Sequence, residues 1–180
     1  VPVKAANDAN VAAFGEQWQG GGKKYKNMVA VTLGTGVGGG ISVGGRILTG
    51  ATGAGGEIGH LHLQDGESEF CNCGNRGCLE QYTSATGIVR LARRRLAEDG
   101  KPSVLREGEV TAKAVFDAVK AGDDVAIEVA ERFGDHLGKG LAIVAAVVNP
   151  EAFVIGGGVS KAGEILLNFV LDQFLAFLRK

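Results

Sequence analysis

Apolar residues along this chain fall into short continuous runs and into stripes at helical spacing, with glycine or proline between them. The runs at 28–33 (MVAVTL) and 152–155 (AFVI) predict buried strands, and segments 39–43 and 46–49 predict a hairpin around Gly44 and Gly45. The stripes predict helices over 7–19, 84–99, 111–120, 123–148 and 160–180, the last one capped by Ser160. Residues 1–3 are typical of a strand end or a linker. Early strands followed by a late strand–glycine–helix unit predict an α/β domain.

One long segment, residues 50–80, has no hydrophobic periodicity. Irregular stretches of this size inside compact domains are usually functional, and a bound metal ion can supply the missing order. The segment holds every cysteine of the chain, and His60 with Cys71, Cys73 and Cys78 makes the four-ligand set of a closed zinc site. The alternative is three ordinary buried cysteines and a hydrogen-bonded histidine. His62 competes as a ligand, but in an extended segment it points to the opposite face from His60.

Composition narrows the functional classes. The 180 residues suit one domain, and 45% hydrophobic with 22% charged residues is an ordinary soluble mixture. A formal net charge of −1 gives no electrostatic basis for binding nucleic acid or an anionic membrane, and the basic run at 93–95 is typical of a solvated helix face. No apolar run reaches the roughly 18 residues that a membrane span needs. Three cysteines, an odd number, do not suggest disulfides, so we expect a reducing cytoplasm.

Glycine is enriched, with 30 of 180 residues, and it is clustered after predicted strands. Gly34, Thr35 and Gly36 follow the first strand, where backbone N–H groups and a hydroxyl can cradle a phosphate. A plain hairpin explains this pattern equally well. A second glycine turn at 156–158 leads into a helix and favours nucleotide binding. The chain has no Walker loop, since no GKS or GKT follows either turn.

Asn7 and Asp8 stand at the predicted start of the first helix. Either side chain can cap a helix, and taken alone this structural role is the simpler one. Phosphoryl transfer to an alcohol, however, needs a carboxylate that orients and deprotonates the attacking hydroxyl. The helix macrodipole favours a negative charge at this position. Asp8 therefore has one position and two compatible roles.

Taken together, the segments NDANVAAFGE, VTLGTGVGGGI, GAGGEIGH, CNCGNRGCLE and VIGGGVS resemble the ROK family of sugar kinases and sugar-responsive repressors, most closely its bacterial glucokinases. The resemblance covers nearly the whole chain. It implies the actin-like ATPase architecture, with two RNase-H-like lobes around a cleft, and ATP with magnesium as co-reactants. The implied reaction is phosphorylation of glucose at its 6-hydroxyl. Residues 1–180 would be the larger, C-terminal lobe, with a zinc- and sugar-binding loop, here called the metal loop, at about 50–82.

The resemblance also assigns roles to single residues. Asp8 would be the general base. His60 would bind a structural zinc ion with one ring nitrogen, together with the three cysteines, and face the sugar with the other. The remaining sugar-binding positions would be Asn7, Glu57 and Glu80. The nucleotide would meet two glycine turns: Gly34, Thr35 and Gly36, and Gly156, Gly157 and Gly158.

The chain departs from the family pattern where a D-x-G-G-T phosphate loop and most of an N-terminal lobe would stand. We therefore expect a C-terminal-lobe fragment that phosphorylates sugar weakly or not at all by itself, whereas the intact protein is expected to be a homodimer. Two alternatives stay open. One is a sugar-sensing repressor of the same family. The other is a kinase for another hexose, such as fructose, N-acetylmannosamine or N-acetylglucosamine.

Overall fold

The computed structural model describes residues 6–179, so the expected strand end or linker at 1–3 lies outside the described residues, as does Lys180. The described chain has a mixed α/β fold, which confirms the predicted class. Four strands form one sheet: β1 (Met28–Leu33), β2 (Val37–Val43), β3 (Arg46–Ile47) and β4 (Ala152–Gly156). Within residues 6–179 the sheet is accompanied by three short 3-10 turns and six α-helices: α1 (Asp8–Gln19), α2 (Glu80–Thr83), α3 (Ala85–Glu98), α4 (Ala112–Lys120), α5 (Asp124–Val148) and α6 (Glu164–Leu178).

The sheet has the strand order β3-β2-β1-β4, with β1 antiparallel to β2 and parallel to β4. Strand β1 is covered on both faces, which explains why five of its six residues are apolar. Val29, Val31 and Leu33 belong to the main core, which also draws on α3, α4, α5 and α6. Met28 and Ala30 belong to a smaller core with Ala13 of α1. The sheet therefore separates α1 from the bulk of the helices.

Most predicted helix starts are confirmed by their capping bonds. The side chains of Ser84, Thr111 and Asp123 accept hydrogen bonds from backbone N–H groups in the first turns of α3, α4 and α5. The predicted start of the last helix at Ser160 is wrong. Residues Val159–Ala162 form a short 3-10 turn, and Gly163, with φ of +79°, reverses the chain before α6 begins. The Ser160 hydroxyl instead donates to the Gly157 carbonyl at 2.8 Å.

Helices α5 and α6 pack closely because glycine lines their contact. A Cβ atom on Gly134 would lie 2.6 Å from the Phe169 carbonyl oxygen, and one on Gly138 would lie 2.7 Å from the Gln173 Cβ. Such approaches are shorter than van der Waals contact, so a larger residue would push the helices apart. These glycines lower the helix propensity of α5 but permit its tight packing on α6.

The metal loop lacks strands and long helices, as predicted. It contains a 3-10 turn at Ile58–His60 and two isolated β-bridges, His62 with Cys78 and Phe70 with Arg76. Those bridges fold residues 62–78 back on themselves, so that Cys78 lies beside His62 shortly before α2 begins. None of the helices within residues 6–179 is both long enough and apolar enough to cross a membrane.

Candidate functional site

One open cavity of about 570 Å³ collects the polar residues that the sequence singles out. It lies where the start of α1, the turn before β2, the metal loop and the end of β4 meet. Its walls include all the predicted sugar-binding side chains: Asn7, Asp8, Glu57, His60 and Glu80. Gly34, Gly36 and Gly157 of the two glycine turns line the same space. We refer to this space as the first cavity.

The first helix presents Asn7 and Asp8 to the first cavity in different ways. Asn7 is the N-cap, since its side-chain oxygen accepts from the backbone N–H groups of Ala9 at 3.0 Å and Asn10 at 3.2 Å. Its amide nitrogen donates to Glu57 Oε1 at 3.3 Å, which links α1 to the metal loop. Asp8 is the first helical residue, and its Oδ1 accepts from Ala9 N at 2.7 Å. Because Asn7 already caps the helix, the exposed Asp8 carboxylate is not needed for capping.

Glu80 reaches from α2 to two other parts of the site. Its Oε2 accepts a hydrogen bond from the backbone N–H of Val37 at 2.9 Å, and its Oε1 lies 3.6 Å from the Cys71 sulfur. A Cβ atom on Gly36 would collide with this carboxylate, so a larger residue there would displace the Glu80 side chain. Glu80 therefore joins the glycine turn to the cysteine-rich part of the metal loop.

The cysteines and His60 converge as the sequence predicts. One ligand atom from each of His60, Cys71, Cys73 and Cys78 lies within 4.8 Å of every other. Cys73 Sγ is 3.7 Å from Cys78 Sγ, and Cys71 Sγ is 3.8 Å from His60 Nδ1. In a tetrahedral site with metal–sulfur bonds of about 2.3 Å, neighbouring sulfurs lie about 3.8 Å apart. The arrangement fits a tetrahedral metal ion.

His62 is not part of this cluster. Its Nδ1 lies 2.9 Å from the Arg76 carbonyl oxygen, and its Nε2 lies 2.9 Å from Asp65 Oδ1. Both ring nitrogens are thus occupied by hydrogen bonds, in agreement with the expectation that His62 faces away from His60.

A buried carboxylate in the metal loop forms a second anchor, which the sequence motifs do not reveal. The Glu67 side chain is only 2% exposed and accepts from Tyr82 Oη at 2.6 Å, Arg94 Nη2 at 2.8 Å and Arg90 Nη2 at 3.0 Å. The hydrogen bonds from Arg94 hold the pKa of Glu67 well below its usual range. These contacts fix the middle of the loop to α2 and α3. The expectation that residues 93–95 form a solvated helix face holds for the exposed Arg93. It is wrong for Arg94, which points at this carboxylate, and for Arg95, which is buried and paired with Asp99 and Glu128.

A second cavity, of about 550 Å³, adjoins the first one at Gly34, which lines both. Of the residues in the two glycine turns, Gly34, Thr35 and Gly158 line the second cavity. Gly36 and Gly157 line the first cavity instead, and Gly156, which ends β4 opposite Thr32, lines neither. The remaining walls come from the 3-10 turn after β4 and from α4, including Lys113, Phe116 and Lys120. The sequence motifs do not select these α4 residues. The seven-residue spacing of Lys113 and Lys120, which puts both on one helix face, is the available signal.

The chain matches one protein family over its whole length and is similar to glucokinases in sequence and in structure. A profile of the ROK family matches residues 1–180. The glucokinase of Halalkalibacterium halodurans is 46% identical over 98% of this chain and 55% of its own length. The crystal structure of a ROK family glucokinase from Streptomyces griseus in complex with glucose and AMPPNP has a TM-score of 0.91 and 35% identity, covering 100% of this chain and 60% of that one.

A regulator is also similar. A ROK family transcriptional regulator, a homologue of the E. coli MLC protein, has a TM-score of 0.86 and 34% identity, covering 98% of this chain and 44% of that one. The chain thus spans about half the length of the relatives that it matches.

Proposed function

This chain belongs to the ROK family, and on that premise we propose that it carries the sugar-binding and catalytic residues of an ATP-dependent glucokinase, which phosphorylates glucose at the 6-hydroxyl. One observation carries the proposal. Five polar residues from three motifs that are far apart along the chain (Asn7 and Asp8, Glu57 and His60, and Glu80) line a single cavity next to a glycine turn. We further propose that residues 6–179 correspond to one RNase-H-like lobe of the actin-like architecture.

Asp8 is the proposed general base. Its carboxylate stands at the start of α1, exposed to the first cavity, while Asn7 does the capping. In this role Asp8 accepts the proton of the sugar hydroxyl as that oxygen attacks the terminal phosphate of ATP. The Asn7–Glu57 pair offers an amide and a carboxylate to other sugar hydroxyls. A site that pairs donors and acceptors with hydroxyl groups rejects molecules that lack them.

We propose that the nucleotide base occupies the second cavity and the phosphates meet the glycine turn at Gly34, which both cavities share. Phe116 offers an apolar surface for the base, and Lys113 and Lys120 offer positive charge. Magnesium bound to the ATP phosphates would neutralise the charge that develops during transfer. Most of the rate enhancement then comes from holding the sugar hydroxyl in line with the terminal phosphate of ATP.

We propose that His60, Cys71, Cys73 and Cys78 hold a structural zinc ion. The support is the donor set of three sulfurs and one imidazole, at tetrahedral spacing. Four protein ligands leave no open position for a substrate, so the ion would order the metal loop rather than take part in chemistry. With Nδ1 of His60 directed to the cluster, Nε2 is left to face the first cavity. The metal would thus fix both the tautomer and the orientation of a sugar-binding histidine.

Glucose is the proposed hexose because glucokinases are among the relatives of this chain. We also propose a cytoplasmic location and a homodimer for the active protein, with no nucleic-acid or membrane partner.

The kinase proposal is tested with Asp8→Asn. Turnover is followed by a coupled ATP/glucose assay, with the chain alone and with the chain joined to a family lobe that carries a D-x-G-G-T loop. We expect turnover to fall by about 10²- to 10⁴-fold, the usual contribution of a general base, while calorimetry still detects glucose binding. Asp172→Asn, an exposed acid on α6, is the control and should keep normal turnover. Near-normal turnover of Asp8→Asn would remove the base role.

The zinc proposal is tested with Cys73→Ser. We expect the variant to lose bound zinc and to exchange amide hydrogens faster over residues 60–80, since structural zinc supplies folding energy. Asn72→Ser, an exposed neighbouring change, should keep its metal. Zinc retained at full stoichiometry in Cys73→Ser would show that the ligand set is wrong.

A sugar-sensing regulator is the second candidate, because a ROK transcriptional regulator is also similar to this chain. Nucleotide binding separates the two functions. A kinase must bind ATP in the second cavity, whereas a regulator needs only the sugar. Glucose binding without any affinity for AMPPNP would favour the regulator.

A further inference from the structure

The glycine turn is held by hydrogen bonds from one neighbouring segment, residues 80–86. The Gly34 carbonyl accepts from the backbone N–H of Ala85 at 2.8 Å. The Thr35 carbonyl accepts from the Thr86 hydroxyl at 3.0 Å. The N–H that follows the turn, on Val37, donates to Glu80 at 2.9 Å. Three successive points of the turn are therefore fixed to the junction of α2 and α3.

Glycine makes this external support necessary. Gly34 and Gly36 bring no side chains that could pack and hold the turn, and glycine backbone is the most mobile in the unfolded chain. A phosphate-binding turn works only if its N–H groups already point at the phosphate when the ligand arrives. The residues that hold this turn thus bear on nucleotide affinity even where, like Thr86, they do not line the cavity proposed for the nucleotide.

We propose that Thr86 is a positioning residue for the glycine turn and acts together with Glu80, an inference that rests on the proposed kinase function and deepens it. Of these two residues, Thr86 is the cleaner one to test, because Glu80 also lines the first cavity. Thr86 is exposed and lines neither the first nor the second cavity, although it borders a third cavity of about 860 Å³ together with Thr35. It is joined to the turn by its hydrogen bond to the Thr35 carbonyl.

The protons around Thr86 define the direction of its hydrogen bond. The Thr35 carbonyl can only accept, so the single hydroxyl proton of Thr86 points to it. The Ser84 hydroxyl lies 2.9 Å from Thr86 Oγ1, but it donates its single proton to the Glu80 carbonyl at 2.7 Å and so does not donate to Thr86. Ser84 Oγ accepts from the backbone N–H of Gly87 at 3.0 Å. The two neighbouring hydroxyls therefore each donate to a carbonyl, Ser84 to α2 and Thr86 to the glycine turn.

The test compares Thr86→Val, which keeps the shape and removes the hydroxyl, with Thr86→Ser, which keeps the hydroxyl. Thr49→Val, at an exposed threonine outside the turn, is the matched control. Amide hydrogen exchange is followed over residues 33–37 and referred to exchange in α5 of the same sample, which separates local loosening from global destabilisation. AMPPNP and glucose affinities of the same chain are measured by calorimetry.

We expect Thr86→Val to raise exchange over residues 33–37 relative to α5 and to weaken AMPPNP binding about three- to tenfold, the loss typical of one hydrogen bond. Glucose affinity should not change, and Thr86→Ser and Thr49→Val should behave as the unsubstituted chain. Unchanged exchange in Thr86→Val, or equal defects in Thr86→Val and Thr86→Ser, would overturn the assignment. If the chain joined to a family lobe with a D-x-G-G-T loop also binds no AMPPNP, the kinase proposal fails, and the exchange data still decide whether Thr86 holds the turn.

Discussion

Replacing Glu67 by glutamine removes one negative charge from the centre of the metal loop while keeping the side chain's size. In the native chain this carboxylate receives hydrogen bonds from Tyr82, Arg90 and Arg94. Glutamine has one acceptor oxygen, and its NH₂ group would face a guanidinium donor. The substitution therefore removes the buried counter-charge of both arginines, which keep only the exposed Glu69 carboxylate, and leaves at least one donor without an acceptor.

The size of the effect follows from burial. Removing one partner of a buried ion pair costs about 3–5 kcal/mol. Glu67 itself is 2% exposed, but Arg90 and Arg94 are 17% and 39% exposed, so water can solvate the arginines again. We therefore expect a loss of about 2–3 kcal/mol in the free energy of unfolding, below that range. For a domain of this size it corresponds to a drop in Tm of about 4–12 °C.

The assay is urea unfolding, with zinc concentration held constant, of the unsubstituted chain, Glu67→Gln and Glu69→Gln. Glu69 contacts the same arginines but is 54% exposed, so its loss should cost less than about 1 kcal/mol. The pKa of Glu67 is lowered in the folded chain, so its stabilisation is complete above the unfolded value of about 4.3 and is lost only as pH falls through the folded pKa. The deficit of Glu67→Gln should thus stay constant between about pH 8 and pH 5. Equal losses for the two variants, or a deficit below about 0.5 kcal/mol for Glu67→Gln, would refute the reasoning.

Two further predictions concern stability. Gly134→Ala should destabilise the chain by about 1–3 kcal/mol in chemical unfolding, because its Cβ would press on the Phe169 carbonyl. Gly15→Ala in α1 has open space around it and should stabilise the chain by about 0.5–1 kcal/mol. Equal effects of the two substitutions would contradict the packing argument. Burial lowers the pKa of His136, which stacks on Tyr82. As pH drops below about 6.5, the imidazole is therefore protonated in the unfolded chain before it is protonated in the folded chain, and the free energy of unfolding falls. His136→Gln should flatten this acid slope, by at most about 1.4 kcal/mol per pH unit, and an unchanged slope would exclude His136 as its source.

Local signals carry much of the fold prediction. Strand β1 follows from an apolar run bounded by polar and glycine residues, and α3, α4 and α5 follow from capping residues and helical spacing. The start of α6 is mispredicted because a serine after a glycine turn has the same local chemistry in a 3-10 turn as at a helix start. Gly163, whose positive φ ends that turn, is the residue that matters.

The candidate site, too, is predictable from the sequence only in part. The convergence of Asn7, Asp8, Glu57, His60 and Glu80 on one cavity agrees with a motif resemblance, although no local pattern brings these positions together. Contacts that depend on tertiary packing have no sequence signature. The Glu80–Val37 hydrogen bond and the burial of Glu67 arise only once α2 and α3 pack beside the metal loop. Charge runs and single acids look alike in sequence whether they are solvated or buried.

The first cavity takes its walls from residues 7–12, 32–38, 57–60, 80 and 157. No continuous stretch of chain holds more than a part of it, so a partly folded chain has nothing that a sugar could recognise. A ligand of this cavity would bind only the finished fold and would stabilise all of it, by about 2.7 kcal/mol at a concentration one hundred times its Kd. Degradation in the cell draws on the unfolded population, which a gain of that size reduces about a hundredfold. The abundance of the protein would then rise with the supply of its own sugar, without any change in synthesis.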